Sequence, residues 1–175
     1  MIITEENIYE EAKKGNLDIL NSDLVDKIIG KNGGTALHYL AWKGCLEILD
    51  HPSTDKVKNL GGWTPLLILA TFGKVEVLNH TSVDKIESSN SGGWSPLHAL
   101  AYAGVSEVLN HYSVDKIKDS KGFTPLHYLA IRKKVPRKWL KERYPWAKIG
   151  NNKITKELIS KILDVPNAVR FIGTI

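Results

Sequence analysis

The sequence predicts an all-α fold: a solenoid in which short helix–turn–helix units stack side by side. Three observations carry that expectation. One segment recurs, as Gly34-Thr35-Ala36-Leu37-His38-Tyr39-Leu40-Ala41, Gly62-Trp63-Thr64-Pro65-Leu66-Leu67-Ile68-Leu69-Ala70, Gly93-Trp94-Ser95-Pro96-Leu97-His98-Ala99-Leu100-Ala101 and Gly122-Phe123-Thr124-Pro125-Leu126-His127-Tyr128-Leu129-Ala130. The hydroxyl residues 35, 64, 95 and 124 stand 29, 31 and 29 residues apart, a spacing that marks stacked repeats. Within each copy a Leu, Leu, Ala trio at i, i+3 and i+4 lines one helical face.

Each unit then reads in order. Thr or Ser before Pro caps the first free N–H groups, and Pro fits the first turn. Gly44, Gly73 and Gly104 end the helix in a left-handed conformation. A shorter second helix carries Leu46, Ile48 and Leu49, echoed by Val75, Val77, Leu78 and in part by Val108, Leu109. A loop follows with apolar residues three apart (Val25/Ile28, Thr54/Val57, Val83/Ile86, Val114/Ile117), and the Asp-Lys between them, as in Asp84-Lys85, is expected to face solvent. Gly-rich turns such as Asn32-Gly33-Gly34 lead to the next copy.

The phase extends to both ends. Ala12-Lys13-Lys14-Gly15-Asn16-Leu17-Asp18-Ile19-Leu20 matches Ala41-Trp42-Lys43-Gly44-Cys45-Leu46-Glu47-Ile48-Leu49, so residues 1–32 form an N-terminal capping repeat. Its first helix is polar (Glu5, Glu6, Glu10, Glu11), with Thr4 as N-cap and Ile3 and Ile8 as a hydrophobic staple. Residues 33–131 are the core repeats, and 132–175 an extended C-terminal repeat and cap. There a helix is expected from Pro136 to about Tyr144, and Thr155, 31 residues after Thr124, opens a degenerate sixth first-helix. Pro166 to Ile172 forms a last short helix over the end of the stack.

Composition bounds the function. A chain of 175 residues with 42% hydrophobic and 25% charged content suits one folded domain. No apolar run approaches the roughly 20 residues of a membrane span, and the first residues do not read as a signal peptide. The single cysteine, Cys45, falls in a predicted core helix; it makes no internal disulfide and points to a reducing cytoplasm. The net charge of +5 is unevenly placed: residues 1–131 hold 12 Lys/Arg against 16 Asp/Glu, whereas 132–156 hold 10 against Glu142 alone.

The Gly-x-Thr-Pro-Leu-His-x-x-Ala pattern, followed by Gly-x-x-Glu-Val-Leu, resembles the ankyrin repeat family across residues 33–131, and across about 6–164 with degenerate ends. Two departures stand out. Family repeats are about 33 residues long, and the missing residues here fall after the second helix, which should be stubby. Leu67 stands where the family places His. The resemblance implies that His38, His98 and His127 bond the capping hydroxyl and nearby backbone.

It also implies a concave side. Trp63, Trp94 and Phe123 precede the capping hydroxyls, a common partner-contact place in the family, and Tyr39, Trp42, Phe72, Tyr102 and Tyr128 lie on the first helices outside the core face. Aromatic side chains of this kind are enriched among interface hot spots. The alternative is that each ring covers the neighbouring repeat's Gly-Gly turn and stabilises the stack. The expected function is therefore non-catalytic binding of an unidentified protein partner through these eight rings. The runner-up is nucleic-acid or anionic-surface binding through residues 132–148, with Arg132, Lys133, Lys134, Arg137, Lys138, Lys141 and Arg143 as its contacts.

Catalytic and metal chemistry find little support. All six histidines occupy repeat positions, with His51, His80 and His111 after the second helix. Equivalent residues about 8–10 Å apart cannot share a metal that needs nitrogens at about 2.0–2.1 Å. The Gly-Gly pairs lack a phosphate-cradle motif, and Cys45 reads as an inert thiol. No cofactor, small-molecule substrate or membrane insertion is expected.

Overall fold

The computed structural model describes residues 2–86, 92–132, 134–136, 138 and 142. The fold is all-α: among the described residues there are five continuous α-helices and no strand. The helices are α1 (Ile8–Lys14), α2 (Ala36–Lys43), α3 (Pro65–Thr71), α4 (Pro96–Ala103) and α5 (Pro125–Ile131). Each packs against the next, α1 on α2 through to α4 on α5. Four five-residue 3-10 segments, Leu17–Asn21, Leu46–Asp50, Val75–Asn79 and Ser106–Asn110, stand where the short second helices were expected.

The core is the predicted one. Leu37, Leu40, Ala41 and their counterparts on α3, α4 and α5 are buried, except that Ala130 is half-buried. So are Ile19, Ile48, Val77 and Val108 from the 3-10 segments. Helices this short are marginal alone, so both ends are closed by specific bonds. At the start, Ser95 Oγ accepts from the N–H of His98 at 3.4 Å while the N–H of Ser95 donates to His98 Nδ1 at 3.2 Å. The loop adds a second closure: the N–H groups of Leu66, Leu97 and Leu126 donate to the carbonyls of Thr54, Val83 and Val114 at 3.0, 2.8 and 2.9 Å. At the far end Gly44 (φ 78°) turns the chain, and the N–H of Cys45 returns to the carbonyl of Leu40 at 3.0 Å.

Tight turns join the units. In 59–63 the N–H of Asn59 donates to the carbonyl of Trp63 at 3.1 Å and that of Gly62 to the carbonyl of Asn59 at 2.9 Å; 30–34 and 119–123 repeat the pattern. Successive turns touch, since the N–H of Ser120 donates to the carbonyl of Gly92 at 3.0 Å.

Four expectations change. The N-terminal helix is capped by Asn7, whose Oδ1 accepts from the N–H of Thr4 at 2.8 Å, so Thr4 begins a preceding turn instead of the helix. Glu11 is buried, because Lys14 Nζ and Asn16 Nδ2 reach its two oxygens at 2.7 and 2.9 Å. Cys45 lies between α2 and the next 3-10 segment, half-buried, and burial pushes its thiol up from its ordinary value. Asp84 is half-buried instead of fully solvent-facing: it accepts from Tyr112 and Ser113 of the following unit, each at 2.7 Å. Of the C-terminal helix expected from Pro136, only Lys138 and Glu142 are described as helical, and the expected elements at 155–163 and 166–172 lie outside the described residues.

Candidate binding surface

The eight predicted rings do not form one equivalent stripe. Trp42, Phe72 and Tyr102 are 61%, 49% and 48% exposed, whereas Phe123 and Tyr128 are only 6% and 9% exposed. Tyr39, Trp63 and Trp94 are half-buried. The difference follows from position on the helix. Trp42 and Tyr102 lie in the last turns of α2 and α4 and Phe72 caps α3, beyond the reach of the core trio. Trp94 and Tyr128 instead face each other across neighbouring units, with ring centroids 5.1 Å apart.

Two ring clusters result. Trp42 meets Phe72 edge to face, with centroids 5.5 Å apart and planes at 75°. Trp94, Tyr102 and Tyr128 form a second cluster, with Trp94 to Tyr102 at 5.2 Å and Tyr102 to Tyr128 at 6.0 Å. The Arg132 guanidinium stands 4.7 Å from the Tyr102 ring centroid, and its Nε donates to the Tyr102 carbonyl at 2.9 Å. Such cation–π contacts contribute about 0.5–1 kcal/mol at exposed sites.

The inner rings are held by buried polar groups. Tyr128 donates its hydroxyl to Asp119 Oδ2 at 2.5 Å. Asp119 Oδ1 in turn accepts from the N–H groups of Lys121 and Phe123, both at 2.9 Å. Burial, with the adjacent Asp119 carboxylate, holds the Tyr128 phenol far above its ordinary value, so it stays protonated as the donor. Trp63 and Trp94 lie against glycines of their own turns: a Cβ added at Gly61 or Gly92 would stand 3.0 Å from the Cδ1 of the ring two residues on. Covering a Gly-Gly turn is therefore part of what these two rings do, on their own turn and not the neighbour's.

His38 and His98 bind both ways. The N–H of Thr35 donates to His38 Nδ1 at 3.0 Å, so Nε2 carries the proton and donates to the carbonyl of Trp63 at 2.9 Å. His98 repeats this with Ser95 and the carbonyl of Phe123, at 3.2 and 3.0 Å. Burial lowers both rings below the usual imidazole value. His127 keeps the Nδ1 contact with Thr124, but its buried Nε2 has no partner among the described residues, and burial takes the ring down to about 4.

No protein-family model matches this chain, and no curated protein matches it either.

A feature that sequence reading missed is a ladder on the other histidines. His51, His80 and His111 each accept at Nδ1 from the N–H of a serine two residues on, at 3.2, 3.1 and 3.2 Å. Those serines, Ser53, Ser82 and Ser113, donate to Asp26, Asp55 and Asp84 of the preceding unit. Ser, His and Asp thus meet three times, yet each hydroxyl donates straight to the carboxylate and the imidazole receives a backbone proton. The imidazole is not placed to take the hydroxyl proton, and the set ties each unit to the one before it. Its signal was present in the sequence, as His-x-Ser-x-Asp written three times. Among the described residues no group of three or more His, Cys, Asp or Glu could hold a metal ion.

Of the basic set, Arg132, Lys134 and Lys138 are exposed, and Lys138 Nζ stands 3.9 Å from Glu142 Oε1. Lys133, Arg137, Lys141 and Arg143 lie outside the described residues. No helix among the described residues is long and apolar enough to cross a membrane.

Proposed function

We propose that this chain is an ankyrin-like repeat protein of about six units, capped at both ends, that binds another protein through its exposed rings without catalysing a reaction. One observation carries the functional reading: Trp42 and Tyr102 stand exposed in the last turns of their helices, and Phe72 stands exposed at the end of the helix between them. Large rings on a preordered support give contact area at little entropic cost. The family reading rests on the reciprocal hydroxyl–histidine caps, the glycine-closed helix ends and the tight turns. Six units are supported by Thr155, 31 residues after Thr124. They are also supported by His127, whose Nε2 has no partner among the described residues and stands where His38 and His98 meet the carbonyl of a following turn. A reducing cytoplasm suits the lone Cys45, and no cofactor or small-molecule substrate is proposed.

The test is affinity capture from the host lysate with wild type and a Trp42→Ala/Phe72→Ala variant of unchanged helicity, followed by reconstitution with the purified partner. Loss of the partner from the variant, at low and high salt alike, is the expected result. Equal capture by both forms would end the reading. The exposed Arg132, Lys134 and Lys138 favour a second reading, anion or nucleic-acid binding from residue 132 onward. It requires affinity that falls steeply with salt and ignores the ring substitutions.

A further inference from the structure

Resting on that reading of the exposed rings, we propose that their partner is an extended acidic peptide segment, laid along Trp42, Phe72, Tyr102 and Arg132 with its carboxylates about three residues apart. The first ground is the placement of charge. Helices α2 to α5 contain no Asp or Glu at all. The described carboxylates between 36 and 132 sit on the 3-10 segments, such as Glu47, Glu76 and Glu107, or in the loops after them. Among these, Asp55 and Asp84 are already engaged by serines of the next unit.

The ring-bearing ends of the same helices carry cations. Lys43 is exposed next to Trp42, and Lys74 lies over Gly44, where an added Cβ would be 3.3 Å from its Nζ. Arg132 covers Tyr102, and its Nε is committed to a carbonyl, which orients the guanidinium and leaves its Nη end for a carboxylate. Apolar rings therefore alternate with positive charge at the ends of helices that hold no carboxylate, and the nearest acid is Glu47, beside Cys45 with Lys43 and Lys74.

The spacing selects an extended chain. Packed helices lie about 8–10 Å apart, and an extended chain of the polyproline II form advances about 3.1 Å per residue and returns to the same face every third residue. A peptide running across the units thus meets one ring and one cation about every third residue. Nucleic acid fits less well, because consecutive bases need free parallel faces. Trp42 and Phe72 cross at 75°, and Tyr102 is covered by Arg132 and flanked by Trp94 and Tyr128.

The experiment uses the full chain to select from a display library of short random peptides, with the Trp42→Ala/Phe72→Ala variant for counter-selection. A Lys43→Glu/Arg132→Glu variant, which keeps the rings, is titrated with the selected peptides and with a short oligothymidylate, and its melting temperature is measured. The expected result is enrichment of Asp and Glu at about every third position, with at least about tenfold weaker binding to the charge-reversed variant at unchanged melting temperature. Neutral or basic peptides that still need the rings would overturn the acidic partner and leave the ring surface standing. Peptides that bind the ring variant equally, or none selected, would overturn both. Oligothymidylate binding lost on charge reversal, with no acidic peptide selected, would overturn the proposal in favour of nucleic acid.

Discussion

Tyr9 stands in for a histidine: its hydroxyl donates to the carbonyl of Gly34, 25 residues on, the same span that separates His38 from Trp63 and His98 from Phe123. The phenol reaches the carbonyl of Ile28 as well, at 2.7 Å. One bond type therefore pins three of the turns to the helix before them, and only its donor varies.

Tyr9→Phe should cost about 1–2 kcal/mol, since it takes the phenol from the carbonyl of Ile28, while that of Gly34 keeps the N–H of Gly30. Tyr39→Phe, on the neighbouring ring 5.5 Å away, should cost less than about 0.5 kcal/mol. Urea denaturation of both variants checks the difference; equal losses would mean that ring packing, and not the hydroxyl, is what matters.

The histidines set an acid limit. His127 is held at about 4 by burial, while the unfolded chain binds its proton near the ordinary value of about 6.5. Between those values the unfolded state holds more protons, so stability rises with pH. It is fully present above about 6.5 and falls as the pH drops toward 4, by roughly 3 kcal/mol for this one group. The lowered rings of His38 and His98 add in the same direction. Urea midpoints from pH 8 to 4 should trace this fall. They should flatten in His127→Leu, a substitution for which Leu67 provides the precedent within the chain.

His98→Leu should be more damaging than His127→Leu at neutral pH, by about 1 kcal/mol. The first takes the His98 bond from the Phe123 carbonyl, which keeps only the N–H of Asp119, and the second removes an Nε2 with no partner among the described residues. Parallel thermal melts give the comparison, and equal losses would count against the bond to Phe123.

Asp84 should titrate low. The Tyr112 hydroxyl is the main cause, opposed by partial burial and assisted by Ser113. Its contribution is present above the unfolded carboxyl value of about 3.9 and is lost as pH falls through the lower folded value. Tyr112→Phe should move the Asp84 titration upward in a carboxyl NMR experiment. An unmoved curve would assign the effect to Ser113.

Ring substitutions should separate contact from folding. Trp42→Ala should cost about 1 kcal/mol, mostly through its contact with Phe72. Tyr128→Ala, which empties a buried site and abandons Asp119, should cost about 3–5 kcal/mol. Binding lost by the first variant at intact stability would identify a contact residue.

The hydroxyl caps, the glycine ends and the Leu, Leu, Ala face were legible because each is decided within one helix. The exposure of the rings was not, because it is decided by the neighbouring unit. Trp94 is covered because Tyr128 stands on the next helix, while Trp42 meets only the partly exposed edge of Phe72. Asp84 was misplaced for the same reason: its partners lie 28 and 29 residues away. Tyr9 gave no signal because a phenol is not the residue that the repeat pattern calls for.

The serine–aspartate clasps have a consequence for how such a chain can change length. Three successive junctions among the described residues are closed by the same pair of groups, carboxylate before and hydroxyl after. Excising residues 53–81 would bring Ser82 into the place of Ser53, opposite Asp26, at the same separation of 27 residues. The seam left behind would already fit. A gene encoding interchangeable joints can lose or gain a whole module by one recombination event, with no second mutation needed to mend the join.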